Sequence, residues 1–329
     1  MDVSFIERSR LKGRGITGPA ITSLKLVVTL GCFVYLARNE QFFQVIDVFR
    51  TADFRWVSLA LACAVLQVPL VACRWRLFVN AVSPSTQVSV WPIVAITAIG
   101  LFWGQVMPNV AGDGIRTWLL AKLTRSWMRS LFSVLLDRAL GLYVLVVVSL
   151  IALWLPASYQ LPDGLRMISA EILGSCAVLG AAATLLTPLI ASKLEGHRMA
   201  RWAVDALTAQ KILLHSWTGP AALAVSFVVH GLAILAVYAL AQAMNLPLSL
   251  QSAVVLFAVM VMISVIPIAI GGWGIREVAV TLLLAHHGIA SETALAFSLS
   301  FGFVFLAASL PGALVFVLYR PSPSPERAS

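Results

Sequence analysis

The chain has 329 residues, of which 60% are hydrophobic and 11% charged, with a mean hydropathy of +0.92. A soluble domain carries about 25% charged residues, so composition excludes a soluble globular domain and points to a polytopic membrane protein. The net charge of +9 and pI near 9.9 do not indicate nucleic acid, because the basic residues are spread over short inter-helix loops and the two tails, where they set orientation and meet anionic lipid head groups.

The N-terminal "MDVSFIERSRLKGRG" precedes an apolar run from Leu26 to Ala37. It has the outline of a signal peptide, but no small-residue cleavage site follows, so the run is expected to be a first transmembrane helix over 20–38. Further full spans are expected at 55–73, 131–155, 168–191, 219–243 and 293–319. Two other apolar segments, 90–107 and 250–270, each run into a glycine-rich break.

If 90–107 crossed fully, Lys122, Arg125 and Arg129 would lie opposite Arg74 and Arg76. The positive-inside rule places all five on the cytoplasmic side if the chain enters, breaks near Pro108 to Gly114 and returns as a half-helix. This predicts a re-entrant hairpin over 90–124, and the same treatment gives a second over 250–288 on the outer side. The fold expected is an all-α polytopic integral membrane protein of one membrane domain, with about six full transmembrane helices and two re-entrant hairpins, some eight membrane segments in all. Its first half is 20–191 and its second 219–319. An amphipathic linker over 192–218, containing "HRMARWAVDALTAQKILLHSW", joins them at the membrane surface, and 320–329 is a disordered tail. Both termini are expected in the cytoplasm of a bacterium, with the protein in its inner membrane.

Side by side, the two breaks are "MPNVAGDGIRTW" from Met107 and "IPIAIGGWGIREV" from Ile266. Gly112-Asp113-Gly114-Ile115-Arg116 matches Gly272-Trp273-Gly274-Ile275-Arg276 at an offset of 272 − 112 = 160 residues, each after a proline, Pro108 or Pro267. In the topology above the copies enter from opposite faces and so form an inverted repeat. Transporters use such repeats to bring two broken helices to the bilayer midplane, where half-helix N-termini present free N–H groups to anions. An arginine at mid-membrane depth costs about 2.5 to 3.5 kcal/mol on insertion scales. Arg116 and Arg276, with the turns of Gly112, Gly114, Gly272 and Gly274, are therefore candidates to bind a lipid phosphate. The competing reading is that each arginine satisfies carbonyls of its own hairpin or pairs with a neighbouring acid.

Candidate charge partners or coupling groups are Asp113, Asp137, Arg138 and Glu277, with Asp137 and Arg138 forming either a structural ion pair or part of the path. His230 is expected to be hydrogen-bonded within the bundle, and His286 and His287 to cap a helix at the interface. Cys32, Cys63, Cys73 and Cys176 have no C-x-x-C spacing and are expected to be ordinary core residues. No metal-ligand spacing is present, and no metal or cofactor is expected.

Through "MPNVAGDGIRTWLLAK", "DRALGL" from Asp137 and "IPIAIGGWGIREVAV", the chain resembles the transmembrane region of the lysylphosphatidylglycerol synthase family over essentially its whole length. It departs from the family pattern at Ser300-Phe301, where the last helix usually carries another arginine. The resemblance implies a stand-alone member without the soluble aminoacyltransferase domain. It also implies flipping of a phospholipid, or handling of hopanoid or polyprenyl lipids, with a membrane lipid as substrate. Two alternatives are a membrane-embedded lipid-phosphate transferase, for which no catalytic motif is visible, and a non-transporting partner of a lipid-synthesis enzyme.

Overall fold

The computed structural model describes residue 34 and residues 42–83, 87–107, 109–154, 163–194, 217–265 and 272–318. Among these run helices α1 (Phe42–Thr51), α2 (Phe54–Val82), α3 (Val90–Val106), α4 (Asn109–Thr124), α5 (Trp127–Trp154), α6 (Asp163–Leu194), α7 (Thr218–Ala243), α8 (Leu250–Val265), α9 (Ile275–His286) and α10 (Ser291–Leu318). Four of them, α2, α5, α7 and α10, are long and apolar enough to cross a membrane. The expected helix over 20–38 falls outside the described residues except for Val34. So does the linker over 192–218, except for the end of α6 and residues 217 and 218, and the tail over 320–329 falls wholly outside them.

The two interrupted segments form pairs of short helices. α3 and α4 have 17 and 16 residues, and α8 and α9 have 16 and 12. At 1.5 Å per residue α9 measures about 18 Å, well short of a hydrocarbon core of about 30 Å. α1 was not among the expected elements: its ten residues are too short for a span. It lies against α10, with Phe49 6.4 Å from Phe303 between ring centroids.

The 160-residue offset between the two glycine motifs holds for whole helices. Shifted by that amount, α2, α3, α4 and α5 fall on α7, α8, α9 and α10, and Val90 at the start of α3 falls on Leu250 at the start of α8. The packing follows the same rule. α3 lies on α10 and α8 on α5, while α2 touches α10 and α7 touches α5.

The two equivalents α2 and α7 pack on each other in opposite directions. Asp53 N–H, at the start of α2, donates to the carbonyl of Ala243 at the end of α7 (2.9 Å), and Phe78 near the end of α2 packs with Ala222 near the start of α7. An axis that relates antiparallel helices must lie across them, so the halves are inverted. Their shared core holds Ala60, Ala64, Ala233 and Ala236, all buried. Small residues suit this place, because in lipid the helices gain from close contact of backbones more than from hiding apolar surface.

Because α2 starts where α7 ends, the α3–α4 hairpin, which follows α2, and the α8–α9 hairpin, which follows α7, open at opposite ends of the bundle. The end holding the α3–α4 hairpin carries Arg76, Lys122, Arg125 and Arg129. Arg74 corrects the expected arrangement: it is no loop charge but a buried residue inside α2, 6% exposed. The apolar pattern resumes at Leu77-Phe78-Val79 and carries the helix on to Val82.

A second correction concerns the first break. Only the chain around residue 108 separates α3 from α4, and Gly112, Asp113 and Gly114 lie within α4 rather than in a turn. A Cβ on Gly112 would collide with the carbonyl oxygen of Gly100, so the bare glycine lets the two helix backbones touch. In the second copy Gly272 (φ +78°) and Gly274 (φ +90°) do take the positive φ expected of a glycine turn, and α9 begins after them.

Gly112→Ala should therefore push α3 and α4 apart and cost about 1–3 kcal/mol, as overpacking does. A Cβ at Gly114 meets nothing within 4 Å, so Gly114→Ala should be neutral or stabilising by up to about 1 kcal/mol. Thermal unfolding in detergent, followed as the fraction of protein that stays monodisperse, measures both; equal losses would contradict this packing.

Candidate functional site

The first arginine sits where α2, α4 and α5 meet. Arg116, about two turns into α4, is 3% exposed, and Asp137 on α5 is 1% exposed. The Asp137 carboxylate accepts from Arg116 Nη2 (3.0 Å) on one oxygen and from Arg74 Nε (2.8 Å) on the other. Arg74 Nη1 also donates to Ser226 Oγ on α7 (3.0 Å), whose own hydroxyl donates to the carbonyl of Ala222 (2.8 Å). The Arg116 guanidinium lies over the Trp75 ring, 4.1 Å from its centroid, and Trp75 Nε1–H donates to Ser133 Oγ (3.2 Å).

A second layer covers this one. Arg138 points away from Asp137 and donates from Nε to both oxygens of Asp113 (2.9 and 2.8 Å). Asp113 also lies 3.5 Å from Arg116 Nη1. Of the two readings of Asp137 and Arg138, the mutual ion pair does not form, because neighbouring residues on a helix point about 100° apart and each finds a partner on a different helix. Among the described residues the cluster holds three arginines and two carboxylates, one positive charge in excess. Arg116 Nε is buried without a hydrogen-bond partner, which is costly for a charged group.

The second arginine is neutralised where it stands. Arg276 Nε donates to Glu277 Oε1 (2.9 Å), and Nη2 pairs with the same oxygen. Glu277 Oε2 accepts from Gly274 N–H (2.6 Å), and Ser298 Oγ lies 3.4 Å from Oε1. The glutamate thus fills the place at the start of α9 that a bound anion would take. The Arg276 guanidinium is 4.9 Å from the Trp273 ring centroid and 5.4 Å from that of Phe301. Gly302 leaves the room, since a Cβ there would collide with Arg276 Nη2.

Arg116 and Arg276 are thus the buried hearts of two clusters, and among the described residues they share no hydrogen-bond partner. Arg276 lies in the first turn of α9, whereas Arg116 lies about two turns inside α4. Asp113, Asp137, Arg138 and Glu277 all serve as charge partners. Arg74, Trp75, Ser226, Trp273 and Ser298 were not expected at either site. The signal for Arg74 was an arginine between Ala72 and Leu77 in a run that stays apolar after it. His230 Nε2 lies 3.1 Å from the carbonyl of Gly141, one turn beyond Asp137, and His287 follows the last turn of α9. Of the cysteines described, Cys63 is buried, while Cys73 and Cys176 are exposed on outward faces and so are not core residues.

Membrane-length helices arranged as inverted halves around buried ion pairs define a polytopic integral membrane protein. Residues 22–312 match the family described as lysylphosphatidylglycerol synthase TM region, and the chain belongs to that family, which gives it a membrane-lipid-related function. No curated protein and no solved structure matches the chain.

Asp137→Asn should leave Arg74 and Arg116 without a shared counter-ion and cost about 3–5 kcal/mol, the usual loss when one partner of a buried pair is removed. Arg138→Ala, which acts on a half-exposed pair, should cost about 1 kcal/mol or less. Thermal unfolding in detergent separates the two, and equal shifts would contradict the layered arrangement.

Proposed function

We propose that the protein moves a lipid across the membrane, holding its head-group phosphate within the bundle while the inverted halves rock around it. The lipid is a phospholipid or a polyprenyl- or hopanoid-type lipid. What carries the proposal is the surplus charge of the first cluster: among the described residues Arg74, Arg116 and Arg138 pair with Asp113 and Asp137 alone, and Arg116 Nε lacks a partner. Buried surplus charge is unfavourable until an anion joins it, and a guanidinium offers a phosphate two parallel donors.

In this reading Arg116 leads, with Gly112 and Gly114 on its helix. Arg276, between Gly272 and Gly274 and the ring of Trp273, takes the phosphate only when Glu277 releases it. The two short hairpins are re-entrant and bring the clusters to mid-depth from opposite faces. The basic end of the bundle lies in the cytoplasm by the positive-inside rule, with both termini on that side, in a bacterial inner membrane. The protein works without cofactor and not as an enzyme. The complete Arg276–Glu277 pair favours a second reading, a non-transporting partner of a lipid-synthesis enzyme, because a charge already matched has no need of a ligand.

Head-group flipping in proteoliposomes decides between them. Arg116→Ala should lower the rate by about tenfold or more, and Arg116→Lys should restore it only in part, because lysine keeps the charge and loses the fork. Arg276→Ala should lower it as well. Unchanged rates in both alanine variants would overturn the phosphate site.

A further inference from the structure

The outer pair, Asp113 and Arg138, stands in an unusual place. Arg138 is 11 residues from the start of α5 and Asp113 is 11 residues from the end of α4, and these two ends adjoin. Both residues therefore lie about 16 Å along their helices from the basic end of the bundle, near mid-depth of a hydrocarbon core about 30 Å thick. Yet the side chains are 52% and 26% exposed. A charged side chain at that depth does not face lipid tails; intramembrane charges face the bundle interior or a water-filled cavity.

Around the pair the exposed residues are apolar, with Leu135 and Leu142 flanking Arg138 on α5 at 50% and 42% exposed, and they turn basic toward the membrane surface. On α4 the exposed stripe runs through Val110, Gly114 and Trp118 to Lys122, whose ammonium lies 3.6 Å from the centroid of the Trp118 ring. Arg129 is exposed on the first turn of α5. Cations thus stand at three levels on this face: Arg129 and Lys122 near the membrane surface, Arg138 at mid-depth, and Arg116 and Arg74 behind it. Asp113 takes the Nε edge of Arg138, and among the described residues no acceptor meets the far side of the guanidinium.

We propose that the α4–α5 face is a polar groove open to the side of the bundle, along which an anionic phospholipid head group travels while its acyl chains stay in the bilayer. Lys122 meets the phosphate at the rim, and Arg138 takes it at mid-depth. The Asp113–Arg138 pair is the door to Arg116. This rests on the lipid-moving reading given above and adds to it the route by which the lipid enters.

The route can be tested apart from transport. In a variant with all four native cysteines replaced by alanine, Gly114→Cys places a thiol on the exposed stripe at a position where a side chain meets nothing within 4 Å. Leu186→Cys places one on α6 about level with Arg138, since Gly180 lies against Tyr143 and the two helices run in opposite directions, and its native side chain is 48% exposed. Both are labelled in liposomes with a charged, membrane-impermeant thiol reagent, which needs water and a thiolate. A polar groove makes position 114 react about tenfold faster than position 186 or more, since a thiol surrounded by hydrocarbon stays protonated. Phosphatidylglycerol vesicles should slow the labelling at 114 relative to phosphatidylcholine vesicles, and Arg138→Gln should remove that protection.

Labelling at 114 no faster than at 186, whether acyl chains or another protein covers the face, overturns the groove. Protection that survives Arg138→Gln overturns the role of Arg138. Flipping measured in the same vesicles keeps the two readings separate. An inert position 114 with flipping intact removes the groove alone, while rapid, protected labelling without flipping supports the groove and removes translocation.

Discussion

One carboxylate holds two arginines. Asp137 accepts from Arg74 on α2 and from Arg116 on α4, and through Arg74 and Ser226 the same group reaches α7 in the other half. Nothing in the bundle can move α2, α4 or α5 independently while that carboxylate keeps both partners, because each lost contact would leave a buried charge unmatched. The arrangement is stable and still one positive charge from neutral. That surplus is the reason to look for an anion here.

The scaffold around this point is nearly symmetric, whereas its chemistry is not. Four helices repeat as four helices in reverse direction, and both hairpins close on the same pair of positions: Gly112 against Gly104, and 160 residues later Gly272 against Ser264. At the same offset, however, Thr117 is replaced by Glu277, Asp113 by Trp273 and Arg138 by Ser298. The second arginine therefore has its own neighbour as counter-ion, whereas the first depends on a residue 21 positions away on another helix. A two-fold frame with one charged and one neutral cluster has a built-in difference between its two sides, which the proposed movement of a lipid from one face of the membrane to the other requires.

The membrane class and the repeat were legible because they rest on long-range regularities, apolar runs and a motif found twice. The breaks were legible from proline and glycine together, Pro108 before Gly112 and Gly114, and Pro267 before Gly272 and Gly274; proline alone does not end a helix here, since Pro69 and Pro311 lie inside α2 and α10. The pairing was not legible. That Arg116 meets Asp137 depends on the crossing of α4 and α5, which no local spacing encodes, and Arg74 was assigned to a loop because an arginine after an apolar run usually ends it. The glycine motifs misled in another way. The same G-x-G-I-R is helical at 112–116 and uncoiled at 272–274: Gly104 admits a helical backbone against it, whereas at the matching place Ser264 carries a side chain.

The surplus charge can be tested directly by binding. Arg74→Gln brings the first cluster to two arginines and two carboxylates and keeps a donor for Asp137. Native mass spectrometry of the detergent-solubilised protein titrated with phosphatidylglycerol would count the lipid retained. The account predicts that the wild-type chain holds one tightly retained phosphatidylglycerol and that Arg74→Gln, still folded, loses it; equal retention by the two proteins would contradict it.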